Sequence, residues 1–210
     1  MKRKVNLLGT KDELLYYRLM TTEKIKKVER IRNGKFESFK KKSLERKYIA
    51  EHEVAAFKFE TITNELILPF TDSVQKDKVG FNQYLVTCWL PIIGWRAFRL
   101  FIALAQGCQE VNDFCFTTVN ALAEELNSSV NTIQVQLDIL EKNGFIYRFW
   151  ISNKTQNWKN EGVLIKVRKT LHYLSEEQVN QLPKSRRKKH DEYINSIRFD
   201  IRDLFKLFQC

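Results

Sequence analysis

The polar residues between positions 129 and 138 carry amide and hydroxyl side chains that can form specific hydrogen bonds. The amide side chains of Asn131 and Gln134 donate and accept hydrogen bonds side by side, which matches the edge of an adenine base. Threonine can place its methyl group against that of thymine, so a site containing A·T pairs is favoured. An ordinary polar surface is the alternative. The residues expected to contact bases are Ser129, Asn131, Thr132, Gln134 and Gln136.

Basic residues are concentrated in two segments that flank this one. The formal net charge of the chain is +11, which favours a polyanionic partner. Residues 1–60 carry a net charge of +8 and residues 148–210 carry +7, whereas residues 61–147 carry −4. The densest basic runs predict contacts to phosphates, with a merely solvated surface as the alternative. These runs contain Lys40, Lys41, Lys42, Arg186, Arg187 and Lys188.

The sequence contains no recognisable pattern for catalysis or metal binding. Its four cysteines form no Cys-x-x-Cys pair, and no histidine lies near any two of them, so buried reduced thiols are expected. Neither a glycine-rich phosphate loop nor a nucleophile elbow is present. We therefore expect no enzymatic activity, no metal and no cofactor. The cysteines are Cys88, Cys108, Cys115 and Cys210.

Composition and hydropathy bear on where the chain resides. Hydrophobic residues make up 43% of the chain and charged residues 29%, as in an ordinary soluble globular protein. The apolar run at residues 5–8 is too short for a signal peptide. The most apolar stretch, residues 84–95, contains Pro91 and is too short to span a bilayer. We therefore expect the protein to be cytoplasmic and not to associate with a membrane.

Apolar residues at helical spacing predict three helices between positions 94 and 144. Thr117 or Thr118 is expected to cap the second helix, Ser129 to cap the third, and Gly144 to end the third in a left-handed conformation. A short strand is expected at residues 112–117. The apolar faces of the three helices are, in order, Trp95, Phe98, Phe101, Ile102 and Ala105; Val119, Leu122, Ala123 and Leu126; and Val130, Ile133, Leu137 and Leu140.

Two strands are expected after the third helix, at residues 145–152 and 163–170, with a polar loop between them. This order of elements resembles bacterial winged-helix DNA-binding domains, in which a β-hairpin wing follows a helix-turn-helix. The resemblance covers a little over a third of the chain. Transcription regulators, plasmid and phage replication proteins and some protein–protein modules share it. It is carried by Leu122-Ala123-Glu124-Glu125-Leu126, Ser129-Val130-Asn131-Thr132-Ile133 and Leu137-Asp138-Ile139-Leu140-Glu141-Lys142-Asn143-Gly144-Phe145-Ile146.

The resemblance implies that the third helix lies in the major groove of double-stranded DNA. The wing would contact the backbone or the minor groove through Lys154, Lys159, Lys166 and Arg168. This chain departs from the usual pattern, in which one or two arginines occupy the base-contacting positions. The leading function is sequence-specific DNA binding in plasmid or phage replication or maintenance, or in transcription regulation. A winged-helix protein–protein interaction module without specific DNA readout is the alternative.

The predicted fold class is α+β and mainly helical, in three regions. Residues 1–80 form a basic N-terminal region, residues 81–170 the winged-helix domain, and residues 171–210 a basic linker with a C-terminal amphipathic helix. That last helix, expected over residues 191–208, carries an apolar stripe that must be buried. It either docks on its own domain or forms a homodimer. The stripe consists of Ile194, Ile197, Ile201, Leu204 and Phe208.

Within the N-terminal region, two helices are expected first. A capping box at residues 10–13 opens one that ends near position 33, and the second covers residues 35–49. A hairpin with strands at residues 55–61 and 66–70 follows, and then a polar loop at residues 71–80. A further capping box at residues 175–178 is expected to open a short helix.

Overall fold

The computed structural model describes residues 7–8, 10, 13–32, 35–59, 68–69, 71–75, 78–108, 113–154 and 159–207. Helices and strands both contribute, and the predicted α+β class is confirmed. In this part of the chain the helices are α1 (Glu51–Ala56), α2 (Leu90–Gln106), α3 (Val119–Glu125), α4 (Val130–Lys142), α5 (Glu176–Gln181) and α6 (Lys184–Leu207). The strands there are β1 (Leu14–Arg32), β2 (Lys35–Ile49), β3 (Leu68–Pro69), β4 (Thr71–Gln75), β5 (Lys78–Phe81), β6 (Phe114–Thr117), β7 (Ile146–Asn153), β8 (Lys159–Val167) and β9 (Thr170–Leu171).

Five of these strands form one sheet, in the order β2-β1-β7-β8-β6. Strand β1 is antiparallel to both of its neighbours, and its first residues pair with the end of β7, from Leu14 opposite Asn153 to Tyr17 opposite Trp150. Two smaller pairs, β3 with β9 and β4 with β5, lie outside this sheet. The predicted hairpin after α4 therefore exists as β7 and β8, and β1 extends its sheet.

The chain divides into two compact units that are discontinuous in sequence. The first comprises Met1–Lys58, Phe116–Leu122 and Arg148–Ile165. The second comprises Phe59–Cys115, Ala123–Tyr147 and Lys166–Cys210. The domain boundaries at positions 80 and 170 stay predictions.

The core of the second unit is built around aromatic rings. The rings of Trp89 and Phe101 pack edge-on against that of Phe145, with centroids 4.9 and 5.3 Å away. Trp89 also donates a hydrogen bond from Nε1 to the carbonyl oxygen of His172, at 2.7 Å, so the indole is buried with its polar atom satisfied. The buried side chains of α2 recur at helical spacing and complete this core: Ile93, Ala97, Phe98, Leu100, Phe101 and Leu104.

The face of α2 is rotated relative to the prediction. Phe98 and Phe101 are buried as expected, but Trp95 is 65% exposed and Ala105 is exposed as well. Gly94 interrupts the helix with φ +78°, a conformation in which glycine avoids the strain of a side chain. Because the regular helix restarts after this break, its inward face is set by Ala97 and Leu100 rather than by Trp95.

The helical stretch Leu85–Gln106 begins as a π-helical segment, Leu85–Trp89, and continues as α2. By length and composition alone it could cross a membrane, since it has 22 residues and a mean hydropathy of 1.4. The apolar stretch was expected to end at position 95, whereas the apolar helix continues to Gln106. Within the structure, 44% of the apolar window is buried, and core helices of soluble proteins can pass the same test of length and composition.

The two helices predicted for the N-terminal region are wrong. Residues 14–32 and 35–49 form strands β1 and β2, paired antiparallel from Tyr16 opposite Ile49 to Arg32 opposite Lys35. β1 is rich in the β-branched residues that favour strands, such as Ile25 and Val28. The dipeptide at positions 33 and 34 is Asn-Gly, a favoured two-residue connection between strands that was interpreted as a helix end.

The neighbouring segments also differ from the prediction. Ala55 and Ala56 belong to α1, so the strand expected from position 55 does not begin there. β3 pairs with β9 instead of with a hairpin partner, and the loop expected at residues 71–80 contains the antiparallel pair β4–β5. Most of the expected strand at residues 55–61 and most of the capping box at residues 10–13 lie outside the described residues or in coil.

The C-terminal region begins as predicted and then becomes helical earlier. The capping box at Ser175 is confirmed: Ser175 N donates to Gln178 Oε1 at 2.9 Å, and Gln178 N donates to Ser175 Oγ at 3.4 Å. The basic run that was interpreted as a linker forms the start of α6. Its first turn closes on Pro183, whose carbonyl oxygen accepts from Arg186 N at 2.9 Å. Lysine and arginine are good helix formers, which explains the early start.

Candidate nucleic-acid interface

Helix α3 begins and packs as its sequence predicts. Thr118 Oγ1 accepts a hydrogen bond from Ala121 N at 3.1 Å, so Thr118 is the N-cap. Leu122, Ala123 and Leu126 are buried. The turn after α3 bends through Asn127, whose φ is +46°, a conformation that asparagine tolerates better than most residues.

Helix α4 starts at a second cap, and this cap involves two of the candidate base-contacting residues. Ser129 Oγ accepts a hydrogen bond from Thr132 N at 3.1 Å, and the two hydroxyl oxygens lie 2.8 Å apart. The side chains of Ser129 and Thr132 are therefore already engaged with each other. Their first role in this fold is to fix where α4 begins.

The C-terminus of α4 is closed by two backbone hydrogen bonds of the Schellman type. Phe145 N donates to Leu140 O and Gly144 N donates to Glu141 O, both at 3.0 Å. Gly144 has φ +72°, as the predicted left-handed cap requires. Asn143 adds a side-chain hydrogen bond from Nδ2 to Ile139 O at 2.8 Å. Both ends of α4 are thus fixed, which suits a helix that must present side chains at defined positions.

The exposed face of α4 is narrower than the sequence analysis assumed. Ile133, Leu137 and Leu140 are buried, and the opposite stripe of exposed residues is Asn131, Val135, Asp138 and Lys142. Gln134 and Gln136 are half-buried at the two sides of this stripe. Of the candidate amides, Asn131 is therefore the most accessible.

Two valines in α4 were assigned incorrectly or missed. Val130 was placed on the buried face but is 45% exposed, and Val135 is 46% exposed at the centre of the accessible stripe. The spacing could have predicted that Val135 is exposed, because it lies one turn after Asn131 and three residues before Asp138, on the same face of the helix. An exposed valine can contact the methyl group of thymine, so Val135 joins the candidate contacts.

The hairpin β7–β8 supplies one accessible lysine among its candidates. Lys154 is exposed, and its Nζ lies 3.9 Å from Glu13 Oε2, a long and weak ion pair. Its backbone N donates to Glu13 O at 3.1 Å, which fixes the end of β7. The side chain of Lys159, at the start of β8, lies outside the description.

Lys166 and Arg168, two of the expected wing contacts, are largely buried and have partners within the chain. The Lys166 side chain is 15% exposed; its Nζ lies 3.8 Å from Asp113 Oδ2 and 4.4 Å from the centroid of the Phe114 ring. Arg168 is 8% exposed, and its guanidinium lies 4.6 Å from the centroid of the Phe59 ring. Arg168 Nε donates to Gly144 O at 2.9 Å, so this residue supports the end of α4.

The candidate phosphate contacts of the C-terminal run are divided between structural and exposed residues. Arg186 donates from Nη1 to Thr87 O at 2.9 Å, and Arg187 donates from Nε to Leu182 O at 2.7 Å; both side chains are half-buried. Lys188 is exposed and forms a surface ion pair with Glu192, at 3.7 Å. In the N-terminal region, Lys40, Lys41 and Lys42 are exposed on β2.

Two buried titratable groups, His172 and Cys88, are held in their neutral forms at neutral pH. Burial first, and the Arg168 guanidinium second, lower the pKa of His172 from 6.5 to about 4. The His172 ring packs against those of Trp89 and Phe145, with centroids 4.5 and 5.6 Å away. Burial also raises the pKa of Cys88 to about 11, so its thiol is protonated at neutral pH. Among the residues that the structure describes, no group of three His, Cys, Asp or Glu could hold a metal ion.

One comparison with known proteins gives a match. Residues 96–146 match the family model described as a helix-turn-helix domain. The matched residues begin in α2, include α3, the turn and α4, and end at the first residue of β7. No curated protein and no solved structure matches the chain. The helix-turn-helix prediction is confirmed, and the domain indicates DNA binding in general.

Proposed function

We propose that this protein binds double-stranded DNA with sequence selectivity, and that α4 is the helix that reads the bases. The observation that carries the proposal is the helix-turn-helix match over residues 96–146. It coincides with a helix that is capped at both ends and buried on one face. A recognition helix needs this rigidity, because base contacts require side chains held at defined positions.

The accessible stripe of α4 suits A·T pairs. Asn131, near the start of the helix, can donate and accept at the edge of adenine. Val135, one turn later, offers an apolar contact for a thymine methyl group. Gln134 lies beside both and is half-exposed, so it can extend across the groove edge. The proposed site therefore contains A·T pairs, and Asn131 is its principal reader.

We further propose that the hairpin β7–β8 is the wing, with Lys154 as its phosphate contact.

We also propose that the protein is cytoplasmic and not an enzyme, and that Leu85–Gln106 is a core helix rather than a membrane span. Its process would be plasmid or phage replication or maintenance, or transcription regulation. The absence of a ligand-sensing pattern in the sequence favours replication or maintenance.

A second candidate function is a protein–protein interaction module. Two observations favour it: Val130 and Val135 are exposed apolar residues on α4, and Asp138 places a negative charge on the same accessible face. A carboxylate there would face the phosphates of DNA unfavourably. Exposed apolar residues on a helix can instead mark a contact with another protein.

The two functions are separated by a variant that removes the amides, Asn131→Ala with Gln134→Ala. Each lost bidentate contact should cost about 1–3 kcal/mol of discrimination between sites. Selection from a random duplex pool should return a defined A·T-containing sequence for the wild type and a relaxed one for the variant. Thermal unfolding should be nearly unchanged, because neither side chain is in the buried stripe.

The matched control is Asn180→Ala with Gln181→Ala on α5, which removes the same two side-chain types from exposed positions. This control should select the wild-type sequence. If the α4 variant also selects it, α4 is not the reader. If the wild type selects no sequence at all, the interaction module becomes the better account.

A further inference from the structure

Strands β1 and β2 form a two-stranded ribbon that is basic over most of its length. Only residues 14–17 of β1 pair with β7, and from Arg18 onward the described partner of β1 is β2. We call the described residues 18–32 and 35–47 the basic ribbon. They contain 12 Lys+Arg and four Asp+Glu, a net charge of +8 in 28 residues.

The pairing register places lysines directly opposite each other. Lys26 is opposite Lys41, and Lys27 is opposite Lys40. Residues directly opposite share one face of a ribbon, and successive residues alternate between faces. One lysine pair therefore lies on each face. Opposed like charges destabilise a strand pair, so an anion bound at each face would stabilise this arrangement.

In the described part of the chain, the ribbon's own acids compensate one of the four opposed lysines, Lys27. Lys24 pairs with Glu45 at 3.6 Å and Lys27 pairs with Glu29 at 3.2 Å, both on the surface. Among the described residues, no ion pair is formed by Lys26, Lys40, Lys41 or Lys42, all of which are exposed.

The ribbon is held in register by contacts near its base and middle. The Thr22 hydroxyl lies 2.6 Å from the Ser43 hydroxyl, where β1 contains extra residues relative to β2. The Arg46 guanidinium lies 4.8 Å from the centroid of the Tyr17 ring. A hairpin without a hydrophobic core is only marginally stable by itself, so these contacts and the binding of an anion would both help to order it.

We propose that the basic ribbon is a second DNA-binding element, which inserts into a groove of duplex DNA and contacts phosphates independently of sequence. A major groove about 12 Å wide admits a two-stranded ribbon, and phosphates line both of its walls. A flat anionic membrane would meet only one face and leave the other lysine pair unbalanced. The two-faced distribution of lysines therefore favours a groove. The ribbon shares its partner class with the proposed function but uses other residues.

The test compares two charge-matched variants of the full chain, one for each face. They are Lys26→Gln with Lys41→Gln, and Lys27→Gln with Lys40→Gln. Binding to a 30-base-pair duplex of random sequence is measured over a series of NaCl concentrations. Each variant should weaken binding and reduce the log–log salt slope by roughly two, since each lost phosphate contact contributes about 0.9. A control, Lys58→Gln with Arg99→Gln, removes two exposed positive charges outside the ribbon and outside the C-terminal basic run, and should leave the slope unchanged.

Several outcomes would overturn the proposal. Unchanged slopes in both variants exclude the ribbon as a DNA contact, and an effect from one face alone excludes insertion into a groove. Loss of binding to vesicles of phosphatidylserine and phosphatidylcholine, with duplex binding intact, would identify a membrane surface instead. Misfolding is excluded by thermal unfolding, because removing opposed lysines should maintain or raise stability.

The same experiment separates this proposal from the α4 proposal. The variant Asn131→Ala with Gln134→Ala should lose sequence preference and keep its salt slope. The ribbon variants should lose salt slope and keep the selected sequence. If the ribbon variants keep the wild-type salt slope while the α4 variant loses sequence preference, the α4 proposal is supported and the ribbon proposal is wrong. If the α4 variant keeps its sequence preference while the ribbon variants lose salt slope, the ribbon proposal is supported and the α4 proposal is wrong.

Discussion

A histidine that is neutral in the folded state and charged in the unfolded state makes stability depend on pH, and His172 is such a residue. Its pKa is about 4 in the folded protein against an ordinary value of 6.5. Because the unfolded state binds the proton more tightly, acid favours unfolding. The pKa of His190 is also lowered by burial, and it acts in the same direction.

The free energy of unfolding should therefore be insensitive to His172 above pH 6.5 and fall as the pH drops from 6.5 towards 4. The slope from this residue is at most on the order of 1.4 kcal/mol per pH unit. Urea unfolding over this range measures it. His172→Gln should flatten the curve, whereas His190→Gln should leave the larger part of the slope. Parallel curves for the wild type and His172→Gln would show that His172 does not contribute.

At the residue scale, exposure could be predicted for Asn131 but not for Arg168. Asn131 lies on the accessible face of α4, as its position off the apolar stripe indicates. Arg168 could not be assigned, because its burial depends on Phe59 and Gly144, which are distant in sequence. A long basic side chain is usually exposed, and only tertiary partners reverse that expectation.

At the scale of single elements, local signals were sufficient where capping residues defined a helix. Helix α4 was bounded correctly because Ser129 and Gly144 are capping residue types, and the apolar spacing between them fits only a helix. The same reasoning wrongly predicted β1 and β2 to be helices. Their apolar residues are widely spaced among charges, and the burial pattern that distinguishes strand from helix is weak where most residues are exposed.

The C-cap of α4 gives a direct test of this local control. Gly144→Ala should lower the free energy of unfolding by about 1–2 kcal/mol, because a side chain is strained at positive φ. The added Cβ would lie 3.6 Å from the His172 ring, an ordinary contact, so the cost is conformational rather than steric. Gly144→Asn should cost less, since asparagine tolerates this conformation. Urea denaturation measures both variants, and equal stability of the alanine variant and the wild type would contradict the strained cap.

At the scale of the whole molecule, positive and negative charge lie in separate segments of the sequence, whereas each compact unit of the structure combines several segments. The segment matched by the helix-turn-helix domain lies within residues 61–147, whose net charge is −4, and the positive charge lies on either side. Specific reading and non-specific affinity would then come from different parts of the protein. The sequence predicted this division of charge, but it could not show that each unit is assembled from separated segments, because that depends on long-range strand pairing.

The C-terminal helix supplies the last whole-molecule prediction, that the protein is a homodimer. α6 extends over Lys184–Leu207, and the sequence places Ile194, Ile197 and Ile201 at alternating spacings of three and four. Such a stripe forms a helix–helix seam when it is not buried within its own chain. A dimer would present two α4 helices, and its operator would contain two half-sites with matching symmetry.

Sedimentation velocity at micromolar concentration should therefore show a dimer for the wild type and a monomer for Ile201→Asp, with helical content retained. A carboxylate in an apolar seam loses its hydration without gaining a partner, which is why one substitution is sufficient. The control is Asn195→Asp, which adds the same charge at an exposed position of the same helix and should leave the dimer intact. A monomeric wild type would show that the stripe docks within its own chain. In that case Ile201→Asp should reduce thermal stability, and half-site symmetry in the selected DNA should be absent.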